Sequence, residues 1–198
     1  HTRITCHSIP GVGRALAFQV LIGGQTSTTH TSSHNFVRPA LSMLRVTASS
    51  TGLTSAELAG YAPSDPQRQP TGTFLTTGGG ELVTLTGTNL GPLGTPVVAA
   101  YGTPDRPSRY EVNTGCVVTV AHTEIQCRSL PGVGTSLFWR VRAGEQWSDS
   151  NVAVRTDYRR PVLLDAGGSG VENGSTEGGH FITIAARDVG PRGGSAVG

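Results

Sequence analysis

Three cysteines, two closely spaced histidines, one acidic residue in a polar run and one Asn-Gly-Ser tripeptide are the residues whose types and spacing could do chemistry. Cys116 and Cys127 flank CVVTVAHTEIQC, whose apolar alternation reads as a short hairpin that brings its two ends together across adjacent strands. The expectation is a Cys116–Cys127 disulfide; the alternative is two buried thiols. Zinc is disfavoured because no second Cys-x-x-Cys pair accompanies them. A disulfide would imply an oxidising, extracellular compartment.

The other candidates read as bland. His30 and His34 lie four apart in TSTTHTSSHN, too rich in Ser and Thr for the helix on which they could share an ion. On a strand they would stand about 13 Å apart, too far for one metal, so they are expected as solvated loop histidines. Asp149, followed by Ser150 and Asn151, has calcium-like chemistry without the spacing of a calcium loop. No Ser/His/Asp or Cys/His order stands out, and His122 beside a strand reads as structural. The chain has no lysine, which removes Schiff-base chemistry and isopeptide cross-links. The expectation is a protein that is no enzyme and holds no cofactor and no metal.

Modification is the remaining chemistry. Asn173-Gly174-Ser175 is an N-glycosylation sequon in a glycine-rich loop. The hydroxyl-rich runs hold candidate O-glycosylation residues: Thr26, Thr28, Thr29, Thr31, Ser32 and Ser33 in one, and Thr47, Ser49, Ser50 and Thr51 in the other.

The elements that position these residues are repeated. HTRITCHSIPGVG at 1–13 returns as HTEIQCRSLPGVG at 122–134, with nine of thirteen positions identical at an offset of 121. Such a repeat has to be settled before any fold is assigned. It also explains the odd cysteine: Cys6 matches Cys127, so its partner, the counterpart of Cys116, would lie upstream of residue 1. After each PGVG comes a strand, at 15–22 and at 137–143, then a turn at Gly23-Gly24 or Gly144-Glu145. Phe18 aligns with Trp139 and Val20 with Val141, alternate positions on one face, hence core. Pro39 and Pro161 then mark joints, and proline keeps such joints short and stiff.

A second block repeats at an offset of 99: GGELVTLTGTNLGP at 79–92 and GGHFITIAARDVGP at 178–191. Val83 and Leu85, like Ile182 and Ile184, alternate with polar residues as in a half-buried strand. The chain thus divides into the end of one module (1–37), a complete module (38–160) and the start of a further one (161–198). An insertion of Ser, Thr and Pro occupies about 47–73, with a weak helical signal at 55–61. The two end pieces together lack a counterpart of about 100–121, so a longer parent chain is the simpler source of the missing strands.

Charged residues are 14%, well below the roughly 25% of ordinary soluble domains, and Gly, Ser, Thr and β-branched residues replace them. That composition fits a turn-rich all-β protein. A formal net charge of +2, with Arg159-Arg160 the only basic cluster, leaves no phosphate-tracking surface and argues against nucleic acid. No apolar run is long enough to span a bilayer, so no direct membrane insertion is expected in this segment.

GGGELVTLTGTNLG, then C…I-x-C-x-S-L-PGVG, VRAGEQWSDS and a closing Y-x-R-P together resemble the IPT/TIG domain, the immunoglobulin-like module of plexins, fibrocystin-like surface proteins and some transcription factors. The resemblance covers 38–160 apart from the insertion, and both end pieces. It implies tandem immunoglobulin-like Greek-key β-sandwiches, one complete and two partial. Two departures stand out: the insertion, and Ala186 and Asp188 where the central copy has Gly87 and Asn89.

The function expected is structural: an extracellular or cell-surface rod, fibril or appendage whose partners are other copies of itself or adjacent modules, with glycans attached. The alternative is the ectodomain of a receptor or adhesin that binds a protein or glycan. An exposed aromatic patch of the kind Tyr101, Tyr110 and Trp147 could form at one loop end would favour the latter.

Overall fold

The computed structural model describes residues 2–47 and 71–191; of residues 31–33, 71 and 72 only the backbone is described. Most of the insertion, the helical signal at 55–61 and the hydroxyls of Ser49, Ser50 and Thr51 therefore lie outside the described residues.

The N-terminal repeat copy holds β1 (Leu16–Phe18), β2 (Leu21–Ile22), β3 (Gln25–Thr26) and β4 (His30–His34). The central copy holds β5 (Ala40–Thr47), β6 (Thr71–Gly72), β7 (Phe74–Leu75), β8 (Leu82–Thr88), β9 (Val98–Thr103), β10 (Arg106–Val112), β11 (Val117–Val120), β12 (Glu124–Arg128), β13 (Leu137–Ala143), β14 (Gln146–Trp147) and β15 (Arg155–Tyr158). The C-terminal copy holds β16 (Val162–Gly167) and β17 (Thr183–Arg187). Among the described residues there is no helix, and the fold is all-β.

Two sheets account for the central copy. One has the order β10-β9-β13-β15-β7 with β14 paired to β13, and the other β11-β12-β8-β5-β6. In both, strands alternate buried and less buried residues, most regularly along β13 and β8. Each sheet thus has one apolar face, giving a sandwich-like arrangement. The pairs β9–β10, β9–β13, β13–β14, β11–β12 and β5–β6 are antiparallel, whereas β15 and β7 are parallel, with Asp157 opposite Phe74. Residues Thr71–Gly72 and Phe74–Leu75, at the C-terminal end of the insertion, form β6 and β7, which pair with β5 and β15.

The chain forms two compact units. The first comprises His1–Leu44, Thr84–Cys127 and Phe138–Arg155, and the second Arg45–Val83, Arg128–Leu137 and Thr156–Gly198, so far as these are described. In the first unit the core is an aromatic ladder across three strands. Trp139 stands opposite Tyr101, and Tyr101 opposite Tyr110. Their rings stack, with centroids 4.1 Å apart for Trp139–Tyr101 and 5.0 Å for Tyr101–Tyr110. Offset stacking of this kind adds about 0.5–1.5 kcal/mol per pair to the area buried. Beside the β11–β12 hairpin, Cys116 and Cys127 form the expected disulfide, buried, with Cα atoms 4.3 Å apart. The short hairpin is what places them side by side.

In the second unit a buried carboxylate organises the chain before β8. Glu81 accepts hydrogen bonds from the Thr76 N–H at 2.8 Å, from the Thr76 hydroxyl and from the Ser129 hydroxyl. The Ser129 hydroxyl is also the acceptor for the Glu81 N–H at 3.0 Å. A buried charge is tolerated when so surrounded by donors. Tyr158, at the end of β15, donates its hydroxyl to Leu130 O at 2.6 Å and fixes the approach to the second PGVG.

The end copies depart from the sequence expectations. Residues 15–22 form two short strands rather than one, starting from Ala15 at φ 55°. Phe18 and Val20 are not core: Phe18 is 57% and Val20 39% exposed, whereas Trp139 and Val141 are fully buried. Ile182 and Ile184 are likewise exposed, where Val83 and Leu85 are buried. Among the described residues β1 pairs with β4 and β17 with β16 in two-stranded sheets, whereas β13 and β8 lie within a six-stranded and a five-stranded sheet. His30 and His34 lie on strand β4 and not in a loop; His34 packs edge-on to Phe36 with centroids 4.9 Å apart.

Candidate functional site, a joint between repeat copies

The residues that do most to connect one copy to the next are built twice, from equivalent positions. At the first corner the Phe36 N–H donates to Gly13 O at 2.9 Å, and at the second the Tyr158 N–H donates to Gly134 O at 2.8 Å. Asn35 Oδ1 accepts the Ala15 N–H at 2.7 Å; Asp157 Oδ1 accepts the Ser136 N–H at 2.6 Å. Ala15 and Ser136 have φ of 55° and 54°, an uncommon conformation for non-glycine residues that the side-chain acceptor helps hold. The following hairpins also agree: Ser27 and Ser148 each donate an N–H, to Val20 O and Val141 O, both at 2.8 Å.

Each corner then meets the glycine of the next copy's NLGP or DVGP turn. A Cβ placed on Gly91 would lie 2.7 Å from Val12 Cγ1, and one on Gly190 3.5 Å from Val133 Cγ1. Gly91 also has φ 106°, so both space and backbone conformation select glycine. Val12 and Val133 are the same residue of PGVG, and Gly91 and Gly190 the same residue of the second repeat block. The same valine-to-glycine contact thus recurs from one copy to the next.

Further contacts close the first joint. Gly144 lies against Gly13, where an added Cβ would meet Gly13 N at 2.5 Å. Gln146 Nε2 donates to Gly13 O at 2.8 Å and to Phe36 O at 3.0 Å, so one side chain spans the two sides of the corner. Beyond Phe36, Arg38 Nη2 donates to Asp149 Oδ1 at 2.7 Å and to Trp147 O at 3.2 Å. Both charged groups of that pair are exposed, which limits its worth to about 0–1 kcal/mol. Asn151 Nδ2 donates to Leu41 O at 3.0 Å. Asp149 and Asn151, considered above for calcium, are thus occupied in tying the linker down. Of the two joint prolines, Pro39 is buried and Pro161 exposed.

The residues marked by sequence for other chemistry are not gathered in one place. Among the described residues no group of three or more His, Cys, Asp and Glu side chains could hold a metal. Cys6 is exposed and unbonded. Asn173 is exposed with φ 57°, and Thr26, Thr28 and Thr29 are exposed; Thr29 Oγ1 accepts from Gln19 Nε2 at 2.8 Å. Thr47 is half-buried. Tyr101 is buried and cannot contribute to a surface patch, while Trp147 is half-buried beneath Arg140, whose guanidinium carbon is 4.3 Å from the ring centroid. No helix among the described residues is long and apolar enough to cross a membrane.

Gln146, Arg38 and the Asn35/Asp157 acceptors were missed by the sequence reading. The only signal for them was that an amide or carboxylate precedes the aromatic residue in both copies, Asn35-Phe36 and Asp157-Tyr158. The chain matches no family model, and a comparison with curated proteins finds no match.

Proposed function

We propose that this chain is part of an extracellular tandem array of IPT/TIG-like, immunoglobulin-like Greek-key modules, with a structural role as a rod, fibril or surface appendage. The observation that carries this reading is the joint built twice from equivalent residues. A linker fixed by a packed valine, a bridging glutamine and corner hydrogen bonds transmits orientation from copy to copy, as a rod requires and a string of tethered beads does not. The buried disulfide is compatible with an oxidising compartment. Sequon Asn173 and the exposed threonines of the N-terminal copy offer acceptors for attached glycans. On this reading the partners are further modules or further copies, with no catalysis, no cofactor and no nucleic acid.

The edges of the central copy bear on how such arrays associate. Edge strand β10 carries Pro107, Arg106, Arg109 and an irregular register, all of which discourage strand addition. On β11 the outer edge is taken by residues 94–97: Gly94 N–H donates to Val118 O at 2.9 Å, and Val118 N–H to Thr95 O at 3.1 Å. Lateral pairing through these two edges is disfavoured.

The second reading, a receptor or adhesin ectodomain, rests on an open groove in the first unit. Pro104, Pro107, Phe138 and Val152 line it, with Arg140 and Ser150 as its polar groups. Electron microscopy of the native, unreduced material, with the intact mass of the released chain, separates the two. Regular filaments with mass above 20.5 kDa per chain support a glycosylated fibril. Dispersed single particles of unmodified mass would turn attention to the groove and to ligand screening.

A further inference from the structure

The open groove of the first unit is built from residues of the central copy alone. Phe138 and Arg140 alternate along β13 with the buried Leu137, Trp139 and Val141, so they stand on the outer face of their sheet. Gly102 of β9 stands opposite Phe138 and has no side chain to fill the space there. The result is a hollow of about 270 Å³, walled by Phe138, Pro107 and Val152. In the N-terminal copy Ala17 and Gln19 hold the places of Phe138 and Arg140, and Thr26 that of Trp147. The corners between copies are built alike, whereas these groove residues differ. The repeated fold does not call for them.

Arg140 is held ready for an anion. Its guanidinium carbon lies 4.3 Å from the Trp147 ring centroid, and Nη2 donates to Ser108 Oγ at 2.6 Å. Nε is shut off from solvent and has no acceptor among the described residues. A buried donor left in that condition calls for an acceptor from outside the chain. Among the described residues no acidic side chain lines the groove. Asp105, next to Pro104 in the chain, is engaged by the Thr103 hydroxyl, ahead of the charges of Arg106 and Arg109.

We propose that the groove binds an acidic, N-acylated sugar at the end of a glycan chain. The carboxylate sits on Arg140, the acyl group against Phe138 and Val152, and a ring hydroxyl at Ser150. Complementarity of charge selects an anion, and the surroundings select a sugar over a peptide. An extended peptide docks by adding to a strand edge. Here the edge strand is β10, which carries Pro107 and an irregular register. A carboxylated sugar requires a guanidinium, a hydroxyl and an apolar wall, and the groove presents all three. This inference deepens the receptor or adhesin reading and rests on it.

The test titrates the full chain with sialyllactose, followed by calorimetry and NMR. Wild type is expected to bind it with a Kd of about 0.1–1 mM. Lactose, which lacks the acidic sugar, is expected to bind at least about tenfold more weakly. Val152→Asp alters a residue 76% exposed, so the fold is kept, and it sets a carboxylate at the rim. A loss of about tenfold is expected from that like charge. Arg140→Met keeps a long apolar stem over Trp147, removes the charge and is expected to abolish binding. Arg142→Met, a change on the same strand outside the groove, is expected to leave binding unaltered. Equal affinity for lactose, binding of neither sugar, or tighter binding of acetyl-leucyl-valine with its free carboxylate overturns the proposal. So does sialyllactose binding that Val152→Asp does not weaken. A glycan array on which wild type and Val152→Asp capture the same sugars removes this ligand and leaves the receptor reading standing. Filaments in the electron microscope with no sugar captured remove both.

Discussion

Trp139 and Phe18 hold the same place in the same repeated strand, yet one is buried and stacked while the other is 57% exposed. Opposite Trp139 stands β9, carrying Tyr101. Phe18 has His30 of β4 across from it and the His34 ring at 6.1 Å. Alternation along a strand determines which residues share a face, not whether anything covers that face. Burial belongs to the pair of surfaces.

The largest expected effect tests this directly. Trp139→Ala should cost about 3–5 kcal/mol in urea unfolding, the usual toll for truncating a large buried aromatic. Phe18→Ala should change stability by no more than about 0.5 kcal/mol, as substitutions at exposed sites do. Comparable losses at the two sites would break the comparison.

Next comes the disulfide, present in the central copy while Cys6 of the N-terminal copy is exposed and unbonded. Replacing both Cys116 and Cys127 by alanine is expected to remove about 2–4 kcal/mol, in line with the closure of a short loop. Alkylation without reduction followed by mass spectrometry should leave Cys116 and Cys127 unlabelled.

The two joints give a finer contrast. Gly91→Ala forces a methyl toward Val12 and a strained φ, and should destabilise the first joint by about 1–3 kcal/mol. Gly190→Ala meets Val133 at an ordinary 3.5 Å and carries only the backbone strain, so a smaller loss of about 1 kcal/mol is expected. Hydrogen exchange at the Phe36 and Tyr158 amides, which bond to Gly13 and Gly134, reads each joint separately. Gln146→Ala, losing two hydrogen bonds, should cost about 1–2 kcal/mol and speed exchange at Phe36 but not at Tyr158.

The smallest effect lies at the tip of the β9–β10 hairpin. The Thr103 hydroxyl, ahead of a backbone donor and the charges of Arg106 and Arg109, holds the Asp105 carboxyl below its ordinary range. A carboxyl depressed in the folded state contributes stability above its unfolded value and loses it as pH falls through the folded one. Thr103→Val should move the Asp105 titration midpoint upward by NMR and leave global stability almost unchanged.

Much of the central copy was legible in the sequence. The period-two pattern of LFWRVRA and LVTLTGT marked β13 and β8, and the short apolar hairpin between Cys116 and Cys127 anticipated their bond. Gly23-Gly24 and Gly144-Glu145 marked the two equivalent turns, where both copies have positive φ at both residues. The C-terminal copy has Asp188 where the central copy has Asn89. Asp188 at φ 52° and Gly190 at φ 129° nevertheless parallel Asn89 at φ 57° and Gly91 at φ 106°. His180 there replaces Glu81, and still accepts the equivalent N–H, from Ser175 at 3.0 Å. Ala186 is a real departure: a Cβ at Gly87 would lie 2.0 Å from Ala40 O, so β16 and β17 accommodate a methyl that β5 and β8 do not.

The sequence by itself determined the repeat, the strands and turns within it, the pairing of Cys116 with Cys127 and which side chains share a strand face, because these depend on neighbours within about a dozen residues. Only the tertiary structure decided that Tyr101 is core, that Phe18 and Ile184 are uncovered, and that Gln146, Arg38 and Gly91 make the joint. Those contacts join residues 79 to 133 positions apart in the chain. No local pattern encodes them, since each depends on which surface the rest of the fold brings opposite.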